Sequence, residues 1–381
     1  MTGATCRGVP GRDLGGAAPH ARFVVRASWS PLGPRRGRQY RCCAAMGASA
    51  PSCTTVSVID LGPVLTASDE NAPAYRSTAG EIAAAASSLG VFHVVGHGVD
   101  KGLREKAAEA QRWFFQQPKD VKAQIRRSPE NSRGWFDDEL TKQKRDWKEG
   151  FDMGPDGVAD DVNGVNQWLD GAGADSPALR FRTTMVEYYE EVTGLAHLLT
   201  QLLSVGLGMP ANHFDAHFQG HSSLMRLNYY PLCDDPAAHL GISPHRDQVF
   251  VTVLAQNDIS GLQVYTGDGD GMTKDDPAWV TVQPVPDAFV INIGDLFQVA
   301  SNDRFKAPLH RVLANKSSER YSVPFFYQPS LDAVLEPVPG MIDDAHPPAY
   351  RPLHFGEMRR RRIEGDLADN GVEVQISDYK I

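Results

Sequence analysis

The chain has 381 residues, of which 41% are hydrophobic and 22% are charged. These proportions are typical of a globular protein with one large domain or two or three average ones, and they exclude collagen, a long coiled coil and wholesale disorder. No run of about 18 apolar residues occurs, which argues against a membrane span. The net charge of −9 disfavours nucleic-acid binding, because an acidic protein repels phosphate backbones. We therefore expect a small-molecule partner and neither nucleic acid nor membrane.

Positive charge is concentrated at the start of the chain. Residues 1–45 contain eight Arg, one Asp and no Lys or Glu, so they carry +7 and the remaining chain −16. An Arg-rich, acid-poor opening is typical of an organelle transit peptide, but a cytoplasmic protein that starts at Met46 would account for it equally well. The sequence predicts a disordered leader or transit segment over 1–50. The predicted location is the cytoplasm, or a plastid or mitochondrion if 1–45 are a transit peptide.

The cysteines indicate a reducing compartment. Only five are present, four of them in or beside the leader, and none forms a C-x-x-C pair. This usage excludes a disulfide scaffold and a cysteine-based zinc site.

The region 54–210 is predicted to be mostly helical, with two short strands. Alternating and β-branched residues predict the strands, and apolar residues at three-to-four spacing predict the helices. The predicted strands are 54–60 and 90–97, and the predicted helices are 78–89, 101–125 and 177–206.

The segment 128–175 is predicted to be a long loop. Loops of this length are usually functional or mobile, so it is a candidate lid over a substrate site. It contains Trp135 and Phe136, for which packing in a lid and packing in the core are both open.

From about residue 222 the pattern changes to short strand-like runs separated by Gly, Pro, Asn and Asp. Such a series predicts an antiparallel sandwich or jelly roll over 222–335. The runs are 224–230, 248–255, 262–266, 279–282, 288–293, 310–314 and 321–327. A C-terminal helix over 355–365, ended by Gly365, and an extended run over 372–376 complete a last region, 336–381. The predicted fold class is α+β.

A candidate metal site lies in this β-rich region. His245 and Asp247 flank Arg246, and in a strand they would point to the same face. A second imidazole, His310, returns on a later strand. Two histidines and one carboxylate form the facial triad of non-haem Fe(II) oxygenases, which leaves coordination positions open for O2 and an organic acid.

A candidate carboxylate clamp follows the triad. Arg320 and Ser322 share a face of one predicted strand, and a guanidinium with an added hydroxyl donor suits a carboxylate. On an earlier strand, Asn228 and Tyr230 also share a face.

Together these motifs resemble the plant-type Fe(II)/2-oxoglutarate-dependent dioxygenases, the family that includes isopenicillin N synthase. The resemblance runs from about Val56 to the C-terminus. It rests on VIDL at 58–61, GVFHVVGHGV at 90–99, LNYYPLC at 227–233, SPHRD at 243–247, GLQV at 261–264, INIGD at 291–295, APLHRV at 307–312 and RYS at 320–322.

The resemblance implies a double-stranded β-helix, or jelly roll, with the N-terminal region packed on it. It implies that His245, Asp247 and His310 bind Fe(II), and that no further residue is catalytic. Further, Arg320 and Ser322, assisted by Tyr230 and Asn228, would hold the distal carboxylate of the cosubstrate 2-oxoglutarate.

The implied activity is hydroxylation or desaturation of a small organic molecule with O2, with release of succinate and CO2 and with ascorbate as reductant. A monomer is expected. Two alternatives stay open: an iron oxidase of the same fold that does not use 2-oxoglutarate, and a non-catalytic jelly-roll binding module. The family usually has Thr or Ser where this chain has Arg246, and we expect that side chain to lie on the surface.

Overall fold

The structure is a computed structural model that describes residues 56–381, with gaps at 142–143, 161, 172, 174, 268–273 and 369–373. For residues 363–368 only the backbone is described. The predicted leader, 1–50, lies outside the described residues.

The described residues contain sixteen strands. They are β1 (Val58–Asp60), β2 (Val91–Val95), β3 (Gly134–Phe136), β4 (Leu140–Thr141), β5 (Lys144–Arg145), β6 (Glu149–Met153), β7 (Leu224–Tyr230), β8 (Leu240–His245), β9 (Val251–Gln256), β10 (Leu262–Tyr265), β11 (Trp279–Thr281), β12 (Phe289–Ile293), β13 (His310–Leu313), β14 (Arg320–Tyr327), β15 (Val334–Leu335) and β16 (Leu353–His354).

Seven α-helices and four 3₁₀ segments occur in the same described ranges. The α-helices are α1 (Gly62–Leu65), α2 (Pro73–Ser88), α3 (Lys101–Phe115), α4 (Lys119–Lys122), α5 (Pro177–Gly206), α6 (Asp295–Ala300) and α7 (Phe355–Ala368), and the 3₁₀ segments are Ala123–Ile125, Ala211–Phe218, Pro339–Met341 and Ile376–Tyr379. None of these helices is long and apolar enough to cross a membrane.

Two sheets form the predicted jelly roll. The larger has the strand order β1-β2-β12-β9-β14-β7-β6-β3 and the smaller has β11-β10-β13-β8. Their neighbouring strands are antiparallel except for β1 and β2. Apolar side chains from both sheets, such as Leu254 and Val290 of the larger and Val264 and Val312 of the smaller, share one buried cluster. The sheets therefore pack face to face, and the α+β jelly-roll prediction is confirmed.

Helices cover the other face of the larger sheet. The longest, α5, begins after Ser176, whose hydroxyl accepts the backbone N–H of Leu179, and Pro177 occupies its first turn, where a missing N–H has no cost. Its apolar face contributes Phe181, Tyr189 and other buried residues to a second, larger core cluster together with α2, α3 and the sheet. The bounds predicted for this helix are those observed.

The prediction of one helix over 101–125 was wrong in length. The helix α3 ends at Phe115, and α4 and a 3₁₀ segment follow it. Pro118 explains the break: it lacks an N–H for the helix ladder, and its ring disfavours helical backbone in the residue before it.

The segment 128–175 is more ordered than predicted. It contains four strands, of which β6 pairs with β7 and β3 pairs with β6, so the segment extends the larger sheet. Trp135 and Phe136 are fully buried. They therefore belong to the core, and a lid cannot be built from them.

The end predicted for the C-terminal helix was wrong. Helix α7 continues past Gly365 to Ala368, since one glycine inside a helix costs only about 1 kcal/mol relative to alanine. Of the extended run predicted over 372–376, the first two residues lie outside the described part, Gln375 is extended, and Ile376 begins a 3₁₀ segment.

Two buried histidines beside the parallel strand pair make the stability of the fold pH-dependent. Burial lowers the pKa of His93 and of His97 to about 4, whereas an unfolded chain titrates near 6.5. Between these values the unfolded state binds more protons, so stability decreases as pH falls from about 6.5 to about 4.

We expect His97→Gln to flatten this dependence by on the order of 1 kcal/mol per pH unit within that window. Urea denaturation of the wild type and the variant at several pH values between about 4 and about 7 measures it. The exposed His354→Gln is the control. Equal slopes for all three proteins would contradict the assignment.

Candidate metal centre and arginine pocket

The three predicted metal ligands meet at one end of the jelly roll. His310 begins β13 and lies directly opposite His245, the last residue of β8. Asp247 lies in the turn after β8 rather than on the strand, so strand alternation is not the reason that it shares a face with His245. One ligand atom from each residue lies within 4.8 Å of the others. We call these three residues the metal triad.

Main-chain carbonyls hold both imidazoles. The Nδ1 atom of His245 is 2.9 Å from the carbonyl oxygen of Ser243, and Nδ1 of His310 is 3.0 Å from that of Pro308. Because a carbonyl only accepts, each Nδ1 carries the proton and each Nε2 keeps its lone pair. The Nε2 atoms lie 3.6 and 3.5 Å from Oδ1 of Asp247.

The two carboxylate oxygens of Asp247 have different partners. Oδ2 accepts from Oγ1 of Thr252 at 2.7 Å and is 3.4 Å from Nδ2 of Asn292, which leaves Oδ1 to face the imidazoles. Burial alone would raise the pKa of Asp247, but His310, His245 and the Thr252 hydroxyl together hold it well below its usual range. The carboxylate is therefore charged, whereas burial lowers the pKa of His310 to about 4 and keeps its imidazole neutral.

Thr252 and Asn292 were not predicted as part of the site. They are cross-strand partners on β9 and β12, so only the strand pairing reveals that both reach the same oxygen. Asn292 lies within the INIGD motif at 291–295. This motif was the sequence feature that could have pointed to its role.

The donor set suits Fe(II). It consists of two imidazole nitrogens and one carboxylate oxygen within 4.8 Å of one another, a ligand set that would leave coordination positions open for O2 and an organic acid. The hydrogen bonds behind each ligand supply the orientation that such a centre requires.

A second group of polar residues lies on the facing strands of the larger sheet. Arg320 on β14 pairs with Tyr230 on β7, and Ser322 pairs with Asn228, so the structure brings all four predicted residues together. With Gln256 of β9 we call this group the Arg320 pocket. Gln256 accepts from Nη2 of Arg320 at 2.8 Å, and it was missed because it lies one residue beyond the run predicted as a strand.

Arg320 is a buried cation with spare donors. Its side chain is 1% exposed, and its Nε and Nη1 atoms have no hydrogen-bond partner among the described residues. The guanidinium carbon is 5.0 Å from the centre of the Tyr230 ring. A buried guanidinium without a counter-charge is costly, so the pocket fits an anion, and a carboxylate matches the paired donors.

The backbone behind this pocket is also fixed by a residue that was not predicted. Nε2 of Gln111 on α3 donates to the carbonyl oxygens of both Asn228 and Ser322 at 3.0 Å. The helix thereby holds the two strands at the level of the pocket, with Oδ1 of Asn228 buried and without a partner in the described part of the chain.

One cavity contains both groups. It encloses about 1140 Å³ including its open mouth, and it is lined by the metal triad and by Asn228, Tyr230, Arg320 and Ser322 of the Arg320 pocket. Apolar residues line it further, among them Leu140, Leu224, Val249, Pro324 and Phe326. Arg246, Arg359 and Arg362, which we call the outer arginines, also line it. Arg246 is exposed, as expected, but it is at the cavity, where its Nε donates to the carbonyl of Ala307 at 3.1 Å.

A jelly roll with two histidines and a carboxylate beside a buried arginine defines a class, the non-haem iron oxygenases. Comparison with known families agrees: residues 221–329 match the 2OG-Fe(II) oxygenase superfamily, where 2OG is 2-oxoglutarate, and residues 56–171 match the N-terminal region described as non-haem dioxygenase in morphine synthesis. The chain belongs to the 2OG-Fe(II) oxygenase superfamily.

Similar proteins of known name support this membership. Jasmonate-induced oxygenase 2 of Arabidopsis thaliana is 33% identical, over 86% of this chain and 85% of the relative. Gibberellin 20 oxidase 2 of Oryza sativa subsp. japonica is 35% identical, over 81% of this chain and 76% of the relative. The crystal structure of JOX2 in complex with 2OG, Fe and JA superposes on this chain with a TM-score of 0.65. The two sequences are 31% identical, and the match covers 80% of this chain and 83% of that one.

The protein is thus a 2OG- and Fe(II)-dependent dioxygenase, an oxidoreductase that hydroxylates or desaturates a small organic molecule and releases succinate and CO2. The predicted family, activity and cofactors are confirmed. The relatives support neither of the two alternatives, an oxidase without 2OG and a binding module.

The hydroxyl of Thr252 gives a test of the metal centre. Thr252→Val removes the 2.7 Å hydrogen bond to Oδ2 of Asp247, so we expect Fe(II) affinity to fall about tenfold, as for other residues that orient a metal ligand. Anaerobic titration measures the dissociation constant. Thr266→Val, which removes a hydroxyl bonded to Ala278 in a hairpin outside the cavity, is the control and should bind Fe(II) as the wild type does.

Proposed function

We propose that His245, Asp247 and His310 bind the iron. The observation that carries this assignment is the convergence of one Oδ1 and two Nε2 atoms within 4.8 Å, with every other polar atom of the three side chains already bonded to protein. The three side chains also line the cavity, so a bound iron would be accessible to ligands from it.

In the same proposal, Arg320 and Ser322 hold the distal carboxylate of 2OG, with Tyr230 and Asn228 assisting. The two donors of Arg320 that have no partner among the described residues support this role. Gln256 fixes the third nitrogen and so orients the guanidinium plane. When bound, iron and 2OG together supply the activation of O2, which is the proposed second substrate. The residues of the chain orient them and exclude bulk water.

The substrate proposed for this site is a small organic acid with an apolar body. The outer arginines place positive charge at the cavity wall. Among them, Arg246 donates to the carbonyl of Ala307 and Arg359 donates to Oδ1 of Asn163. The cations Lys148 and Arg226 also line the cavity, and they pair with the carboxylates of Glu139, Asp146 and Asp152.

The apolar lining of the cavity supports the proposal that the substrate has an apolar body. Leu224, Val249 and Pro324 are buried around the cavity, and Phe326 and Leu140 are partly exposed to it. A pocket with an apolar lining and a few charged groups selects a ligand that is itself mostly apolar and carries a charged group. The JOX2 structure, in which JA is bound together with 2OG and Fe, gives a relative that holds a small molecule in this combination.

The remaining predictions are kept as proposals. The enzyme acts as a monomer with ascorbate as the reductant, in the cytoplasm or, if 1–45 are a transit peptide, in a plastid or mitochondrion. Its proposed regions are the N-terminal region 54–210, the jelly-roll core 222–335 and the C-terminal helix and tail 336–381.

Removal of the Arg320 charge tests the 2OG pocket. We expect Arg320→Gln to raise the KM for 2OG about 100-fold, because two charge-assisted hydrogen bonds are lost. Succinate release at varied 2OG concentration measures it. Arg133→Gln is the matched control: Arg133 is equally buried, pairs with Asp160 and lies outside the cavity. A normal KM for 2OG in the Arg320 variant would refute the assignment.

A comparison of acids with their methyl esters tests the substrate class. Small organic acids should stimulate succinate release by the wild type but not by the His245→Ala, Asp247→Ala double variant. For an acid that is turned over, Arg359→Gln should raise KM about tenfold while the KM of its ester changes little, because only the acid loses a charge-assisted bond.

Arg361→Gln is the control for that comparison, because Arg361 is an exposed arginine of the same helix that does not line the cavity. If neutral compounds are oxidised in preference to every acid tested, the proposed substrate class is wrong, whereas the iron and 2OG sites are unaffected.

A further inference from the structure

A buried carboxylate outside the metal triad is bonded to the strand that carries His245. The side chain of Asp146, which follows β5, has 0% exposure. Its Oδ1 accepts the backbone N–H of Ser243 at 3.2 Å, and its Oδ2 accepts from Oγ1 of Thr141 at 2.8 Å. Lys148 supplies a counter-charge at 3.5 Å.

The residue held by Asp146 is the one that orients the metal ligand. The N–H of Ser243 bonds to Asp146, and the carbonyl of Ser243 accepts the proton of Nδ1 of His245 at 2.9 Å. A shift of Ser243 would therefore move the acceptor of the imidazole as well. The backbone N–H of Trp147 bonds to the carbonyl of Leu240 at 2.9 Å, so the segment around Asp146 is attached to β8 at two points.

The other end of the connection faces the cavity. Leu140 and Thr141 of β4 line it, and β4 pairs with β5 in a short hairpin directly before Asp146. Contacts therefore run without interruption from a cavity-lining hydroxyl through one buried carboxylate and the backbone of Ser243 to His245.

We propose that Asp146 is a positioning residue that fixes the orientation of His245 through Ser243 and joins it to the cavity-facing hairpin. The inference rests on the proposed iron-binding role of His245. Without the carboxylate, the Ser243 N–H is buried and unpaired, which favours a displaced backbone. The orientation of the imidazole is then no longer fixed before the metal binds, and metal affinity decreases.

The test measures Fe(II) binding rather than turnover. Asp146→Ala is titrated with Fe(II) in the absence of oxygen, and thermal unfolding of the metal-free protein is followed in parallel. Asp152→Asn is the matched control, because Asp152 is a buried carboxylate of the same ionic network whose side chain pairs with Arg226 and does not line the cavity. Asp146→Asn keeps an acceptor for Ser243 and serves as the conservative variant.

We expect Asp146→Ala to weaken Fe(II) binding about five- to tenfold and Asp146→Asn to recover most of that loss. Asp152→Asn should lower the melting temperature yet bind Fe(II) within about twofold of the wild type. If Asp146→Ala does not fold, Asp146→Ser, whose shorter side chain withdraws the acceptor from the Ser243 N–H, takes its place in the Fe(II) titration with the same expected loss.

Two results would overturn the proposal. One is normal Fe(II) affinity in Asp146→Ala, or in Asp146→Ser where that variant replaces it. The other is an equal loss of affinity in Asp152→Asn, because the effect would then be one of general stability. A wild type that binds no Fe(II) refutes the proposed iron site itself and is thus distinguishable from both.

Discussion

The antiparallel register of the jelly roll is the constraint on which the site depends. It places His310 opposite His245 in one sheet and Arg320 opposite Tyr230 in the other. A shift of one residue in either pairing would turn these side chains to the opposite face. The apolar cluster between the sheets stabilises this register, so the geometry of the metal triad depends on the packing of the core.

The charges of the cavity follow from the same burial. Asp247 and Arg320 are both buried, where an unpaired charge is costly. A bound cation would lower the cost of the first charge, and a bound anion would lower that of the second. Residues 46–381 carry a net charge of −16, whereas Arg320 and the outer arginines place positive charge around the cavity. This local positive charge favours entry of anions into the cavity.

The sequence predicted those parts of the site whose spacing along the chain carries information. Seven of the ten strands described after residue 222, helix α5, the three residues of the metal triad and four of the five residues of the Arg320 pocket were found there, whereas β8, which carries His245, and the short strands β15 and β16 were missed. Thr252, Asn292, Gln111 and Asp146 were not, because their roles arise from cross-strand pairing or from contacts across more than 90 positions. The strands within 128–175 were missed since each is short and most of their stabilisation comes from pairing with β7 or with each other.

Main-chain anchoring of the two imidazoles has an evolutionary consequence. Because the carbonyls of Ser243 and Pro308, not side chains, fix the protonated nitrogens, no single replacement of an acceptor side chain can reverse which nitrogen faces the metal. Neighbouring side chains can consequently change in chemistry without reversing that orientation. The cation at position 246, whose Nε donates to the carbonyl of Ala307, is compatible with both main-chain anchors.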